Sequence, residues 1–163
     1  MAIKVFELFH GAVLTKVLRS EKPVSLRLVE TRPKENWSTY TLNDTVDLLI
    51  SYSRQPRPLS RQGGTSWTFV FSENQLRQLD PSRRGRPVWA ALVCGRKSID
   101  RGDMHICLLD PDQLPQLLDF CGPPQSLTVR APGDRRSLRV FKDRRERFVV
   151  PQSRIDRWEI PGR

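Results

Sequence analysis

A chain of 163 residues is long enough to bury roughly two thirds of the surface its unfolded form exposes, so it needs no disulfide or metal staple to fold. Its 28 basic and 18 acidic residues leave a net charge of +10, and 22 of the basic residues are arginine, a balance that points to a polyanionic partner. The 37% of hydrophobic residues fall in compact runs, unlike a disordered chain; with no apolar stretch near the roughly 18 residues that span a bilayer and no signal-peptide order, a cytoplasmic protein without membrane contact is expected.

The first segment, Val5 to Leu18, sets Phe6, Phe9, Val13 and Val17 three and four apart, the spacing of one buried helical stripe. Gly11 within it costs about 1 kcal/mol relative to alanine unless a crossing strand needs the room. After Pro23 the period falls to two, Leu26 and Leu28 alternating with Ser25, Arg27 and Val29, and strand-like runs follow at Trp37 to Leu42 and Val46 to Tyr52. Pro33, Asn36, Asn43 and Asp44 supply the turns of a three-stranded meander. Residues 54–64 hold two prolines, two glycines, three arginines and no acid, and read as an exposed loop. Ser66 to Phe71 is strand-like, and Ser72 with Gln75 three residues on is a capping box that opens a helix to about Leu79.

A basic connection from Asp80 to Pro87 leads to the most apolar strand, Val88 to Cys94, which with Met104 to Leu109 reads as a central hairpin. Asp110 caps a helix from Pro111 to Phe120 that buries Leu114, Leu117 and Leu118 and stops at Cys121-Gly122-Pro123-Pro124. Strands at Leu127 to Arg130, Leu138 to Phe141 and Arg147 to Val150, with Pro132-Gly133-Asp134 as a turn, precede a tail at 150–163 whose Ile155, Trp158 and Ile160 dock in part. With no repeat or linker, the expectation is one α+β domain over residues 1–163, with a mainly antiparallel or mixed sheet and two or three short helices. Cys94, Cys107 and Cys121, an odd number without close pairing, read as buried free thiols.

Residues 81–163 carry 17 basic and 10 acidic side chains, and the eighteen residues from Arg130 to Arg147 alone carry +5. Arginine forks bind phosphate oxygens bidentately, and each neutralised phosphate releases counterions. Arg135, Arg136, Arg139, Arg144 and Arg145, followed by Arg83, Arg84 and Arg86, are therefore the expected contacts to DNA or RNA. They would position the ligand without reading bases, since no helix suits a groove. The basic loops at 54–61, 83–86 and 96–101 form a shared wall if they meet at one end of the sheet; scattered, their charge serves solubility. Trp37, Tyr40 and Tyr52 offer rings for stacking, although packing accounts for most aromatics here.

No cofactor is expected on this reading. A divalent cation enters only with an alternative in which Glu7, Asp44 and Asp47 hold a metal for hydrolysis. The order helix, three strands, helix over the first eighty residues resembles that of the restriction-endonuclease-like nucleases. Those enzymes use a Glu/Asp-x-Lys step on a strand, and this chain has none, reading Leu49-Ile50-Ser51 at the expected place. No Gly-x-Ser-x-Gly elbow or phosphate-binding loop occurs, and His10 and His105 lack a visible catalytic partner. A third reading is a structural subunit with a protein partner, using the Trp158 tail and the 54–64 loop.

Overall fold

The computed structural model describes residues 2–19, 22–59, 63–97, 104–133 and 136–162. Its elements in chain order are α1 (Val5–Leu18), β1 (Leu26–Arg32), β2 (Trp37–Leu42), β3 (Val46–Ser53), β4 (Arg57–Pro58), β5 (Thr65–Phe71), α2 (Glu73–Leu79), α3 (Pro81–Arg84), β6 (Val88–Cys94), β7 (His105–Leu109), α4 (Leu114–Leu117), β8 (Gln125–Ala131), β9 (Ser137–Lys142) and β10 (Arg145–Pro151). The fold is α+β and mostly β, with strands in two five-stranded sheets ordered β1-β2-β3-β6-β7 and β10-β9-β8-β5-β4. The expected meander is present: β1, β2 and β3 pair antiparallel, and β6 then lies parallel to β3 with Asp47 opposite Val88.

The first sheet is apolar on both faces, which is why β6 reads as an unbroken hydrophobic run and β3 carries Leu48, Leu49 and Ile50 in succession. One face meets the second sheet, where Trp37, Leu49, Ala90, Leu92 and Cys107 pack against Trp67, Phe69, Phe71, Leu127, Val129, Leu138 and Val140. The other face takes Phe9, Val13 and Val17 of α1 and Ile155 of the tail, with Trp158 and Ile160 beside them. The tail is held further by Arg154, which donates to Asp110 Oδ2 at 2.6 Å, and by the Pro161 carbonyl, which accepts from Asn43 Nδ2 and Thr45 Oγ1. Burial would raise the Asp110 pKa, but Arg154 and the Gln113 and Asp112 amides together hold it below the usual carboxylate value.

Several expectations are modified. The mixed and antiparallel strands divide into two sheets: the strands after α4 join β5 in the second, where β5 and β8 turn alternate residues inward. Leu28 is exposed on this edge strand, whose register shifts at a bulge just after it, between Leu28 and Glu30. The 80–87 connection contains α3, capped by Asp80 through the Ser82 amide. In place of a helix from Pro111 to Phe120, Asp110 closes a turn on the Asp112 and Gln113 amides, and α4 ends where Leu118 becomes extended to bury its side chain. Cys94 and Cys107 are buried, but Cys121 is exposed in the turn that follows Phe120. The Ser72 cap on Gln75 stands as expected.

Space explains two glycines. A Cβ on Gly95 would sit 2.5 Å from the Phe9 ring, so its absence lets α1 close on the sheet, whereas Gly11 faces open space and answers to no crossing strand. One turn before Val13, His10 is buried with its Nδ1 2.5 Å from Ser38 Oγ, its ring stacked on Phe6, and its Nε2 without a partner. Desolvation lowers its pKa from 6.5 to about 4, partly opposed by the Asn36 backbone.

The folded state therefore resists protonation that the unfolded state accepts. Stability is complete above pH 6.5 and falls as the pH drops toward 4, by about 1.4 kcal/mol per unit between those values. Urea titrations at pH 7.5, 6 and 4.5 should show this loss, and His10→Gln, which titrates in neither state, should flatten the difference relative to the wild type.

Candidate nucleic-acid interface

The parallel pair β3–β6 gives the first sheet two distinguishable ends. Arg83, Arg84 and Arg86 precede β6 at the starting end, while Arg54 and Arg96 follow the two strands at the finishing end, roughly 20 Å away at about 3.3 Å per residue. Arg54 and Arg96 thus share one end and the 83–86 loop lies at the other, so the three basic loops do not form one wall. Arg61 and Arg101 lie outside the described residues.

At the starting end, Asp47 is fully buried and accepts from Arg84 Nε at 2.7 Å, Thr41 Oγ1 at 2.7 Å and Arg86 Nη1 at 3.4 Å. Arg84 continues to Gln78, whose amide reaches Glu30. Arg84 and Arg86 are thus committed to a structural ion pair, and Arg83 leans on Asp80 at 3.7 Å. Asp47, proposed from sequence as a metal ligand, is saturated by cations. Asp44 is exposed in the β2–β3 turn with φ 55, where Asp is among the residues that tolerate the left-handed region. Glu7 is exposed in the first turn of α1 and accepts from the Lys4 amide; its neighbour Phe6 touches Tyr52, near the far end of β3 from Asp47. The structure does not bring the three carboxylates together, and among the described residues no group of three His, Cys, Asp or Glu could hold a metal ion.

The 130–147 arginines separate by strand geometry. Arg136 lies at one end of β9, and Arg144 and Arg145 lie at the other, in and after the turn to β10. Lys142 bonds Gln125 at the start of β8, and Arg147 bonds the Gln116 carbonyl of α4. Arg135 lies outside the described residues. What remains between the ends is the open face of the second sheet. Residues directly opposite in paired strands share a face, so the register places Arg57, Ser66, Arg130, Arg139 and Val149 in one row and Thr68, Thr128, Phe141 and Glu146 in the next.

Arg130 and Arg139 therefore face each other across β8–β9, an arrangement that like charges disfavour. Arg130 lies 4.2 Å over the Phe141 ring, and Arg139 reaches Glu146 at 3.1 Å. Even so, Arg130 Nε is out of contact with solvent and has no hydrogen-bond acceptor. Sequence reasoning placed Arg130 in the basic block but not among the favoured contacts, and it left Arg57 in a loop. The signal for this face is the alternation in Ser126-Leu127-Thr128-Val129-Arg130, which aligns polar side chains on one surface; in β5 the outward positions are Thr68 and the exposed Val70.

Trp37 and Trp67 are core residues whose indoles donate to Glu35 and to the Gly95 carbonyl. Tyr40 and Tyr52 pack against the α1 cluster, Tyr52 remaining partly open beside Arg54. Burial pushes the Cys107 thiol up to about 12 and the Cys94 thiol well above its ordinary value, so neither serves as a nucleophile near neutral pH. No helix among the described residues is long and apolar enough to cross a membrane. The chain matches no family model, and comparison with curated proteins and with solved structures finds no significant similarity.

Replacing Asp47 with alanine leaves two partly buried guanidinium groups uncompensated. The variant should lose about 3–5 kcal/mol of unfolding free energy in denaturant titrations, the cost typical of breaking a buried pair from one side. A loss under 1 kcal/mol would contradict the structural role.

Proposed function

We propose that the chain is a non-catalytic nucleic-acid-binding module that holds phosphates on the open face of its second sheet. The observation that carries this reading is the Arg130–Arg139 juxtaposition: two guanidinium groups directly opposite, on a face whose rows contain Glu146 as their acid. A phosphate beside the two guanidinium groups would relieve their repulsion. Charge-assisted bonds of this kind are about twice as strong as neutral ones. Arg57 extends the row toward one edge, while Arg136 and Arg144 lie off the row, beyond the two ends of β9. Contacts to phosphate fix register on the ligand without reading sequence.

The β9–β10 turn adds support. Asp143 and Arg144 have φ of 50 and 65, the left-handed pair that a two-residue hairpin turn requires and that Asn-Gly or Asp-Gly fills most cheaply. Arginine at the second position carries about 1 kcal/mol of backbone strain relative to glycine, at an exposed tip where packing gives no return. A side chain kept against that cost is consistent with a contact made outside the chain.

Fluorescence anisotropy with labelled oligonucleotides should show sequence-tolerant binding that weakens with salt. In Arg130→Gln/Arg139→Gln, the slope of log K against log salt should fall by about 1.5, the loss of two phosphate contacts. An unchanged slope, or no binding at low salt, would overturn the reading. Arg144→Gly separates function from fold: unfolding free energy should rise by about 1 kcal/mol while affinity falls. A more stable variant that binds as well as the wild type would remove Arg144 from the interface.

A further inference from the structure

Beside the free edge of β5 the molecule opens a groove of about 670 Å³, lined by Lys4, Phe6, Lys34, Asn36, Tyr52, Arg54 and by Thr68–Val70. β5 is paired along its whole length to β8 on one side, but on the other to β4 at two residues alone, so the edge beyond Ser66 borders this groove. Thr68 belongs both to the groove and to the open sheet face, two pairing steps from Phe141 through Thr128. The groove and the face are one continuous surface.

Its chemistry is specific. Phe6, backed by His10 at 3.9 Å between ring centroids, and Tyr52, backed by Phe9 at 4.9 Å, form an aromatic wall whose rings are braced from behind. Lys4, Lys34 and Arg54 are exposed at the rim. The groove's carboxylate, Glu35, already accepts from the Trp37 indole at 2.8 Å, which leaves the cations in excess. Arg54 is close enough to Tyr52 to oppose the rise in phenol pKa that burial causes. Braced rings below three cations suit a planar base that carries a phosphate, and the volume lies within the range of small-ligand pockets, about 300–1,000 Å³.

We infer that this groove takes one nucleotide of a single-stranded nucleic acid whose neighbouring phosphates lie on the open face of the second sheet. The inference rests on the phosphate-binding reading of that face and narrows it to single strands, because a base locked in a duplex cannot reach the Phe6–Tyr52 wall. Base stacking against aromatic side chains is sequence-tolerant, in keeping with contacts that do not read bases.

The test is a nuclear magnetic resonance titration of the full chain with octathymidylate, with thymidine monophosphate and with an eight-base-pair duplex. Backbone amides of Asn36, Ser51 and Ser53 report on the groove, and those of Thr128, Arg130 and Arg139 on the face. Octathymidylate should shift both sets at lower concentration than the duplex, which should shift the face alone. Lys34→Ala/Arg54→Ala, two exposed positions outside the core, should weaken octathymidylate about tenfold, as loss of 1–2 kcal/mol of contact predicts, and leave duplex affinity unchanged. Octathymidylate shifts on the face alone would overturn the groove and keep the phosphate-binding face. Shifts in the groove alone would overturn the face and with it the shared surface. Monophosphate binding as tight as the octamer would overturn the strand as ligand in favour of a free nucleotide, and no shift with any of the three would overturn both readings.

Discussion

The parallel pairing of β3 with β6 is the constraint on which the molecule is built. Two parallel neighbours cannot be joined by a tight turn, so residues 54–87 must leave the sheet at one end and return at the other. That crossover carries β5, and β5 runs back across the face it has to cover, with Trp67, Phe69 and Phe71 turned inward. Once β5 is in place it offers a pairing edge to β8, and the rest of the second sheet follows. The same crossover ends in α3 and the Arg84–Asp47 pair, so the return into β6 is secured by charge as well as by hydrophobic contact.

The excess of arginine then divides into kinds that sequence cannot separate. Arg84, Arg86 and Arg154 neutralise carboxylates that the fold has desolvated, and belong to its stability. Arg147 fastens the second sheet to α4, and Lys142 ties β9 to the start of β8. Arg57, Arg130, Arg139 and Arg144 remain on or beside an open face, with partial or no compensation from their own chain. A net charge of +10 thus overstates the surface available to an anion, and its location matters more than its size.

What could be read from the sequence was local. The helical stripe of α1, the meander and the Ser72 capping box depend on residues within a few positions of each other, and each appears where its pattern lies. The second sheet was hidden because the β5–β8 pairing joins segments some sixty residues apart, and alternation alone does not name a partner. Asp47 was legible in principle: an acid inside Val46-Asp47-Leu48-Leu49-Ile50 is bound for the interior and must find a cation there. The open face was half legible, since its polar residues alternate plainly, but the approach of Arg130 to Arg139 depends on register.

The clasp between the tail and the β2–β3 turn has a consequence for biosynthesis. The Pro161 carbonyl is bound by Asn43, 118 residues earlier in the chain, and Ile155, Trp158 and Ile160 cover the same face as α1. A ribosome therefore delivers the two halves of that apolar layer more than a hundred residues apart. Until residues 155–161 emerge, part of the β3, β6 and β7 surface stays bare on the nascent chain. Contacts of such long range form slowly, and uncovered strands are where aggregation begins, so residues 155–161 act as a late safeguard of a sheet made long before them.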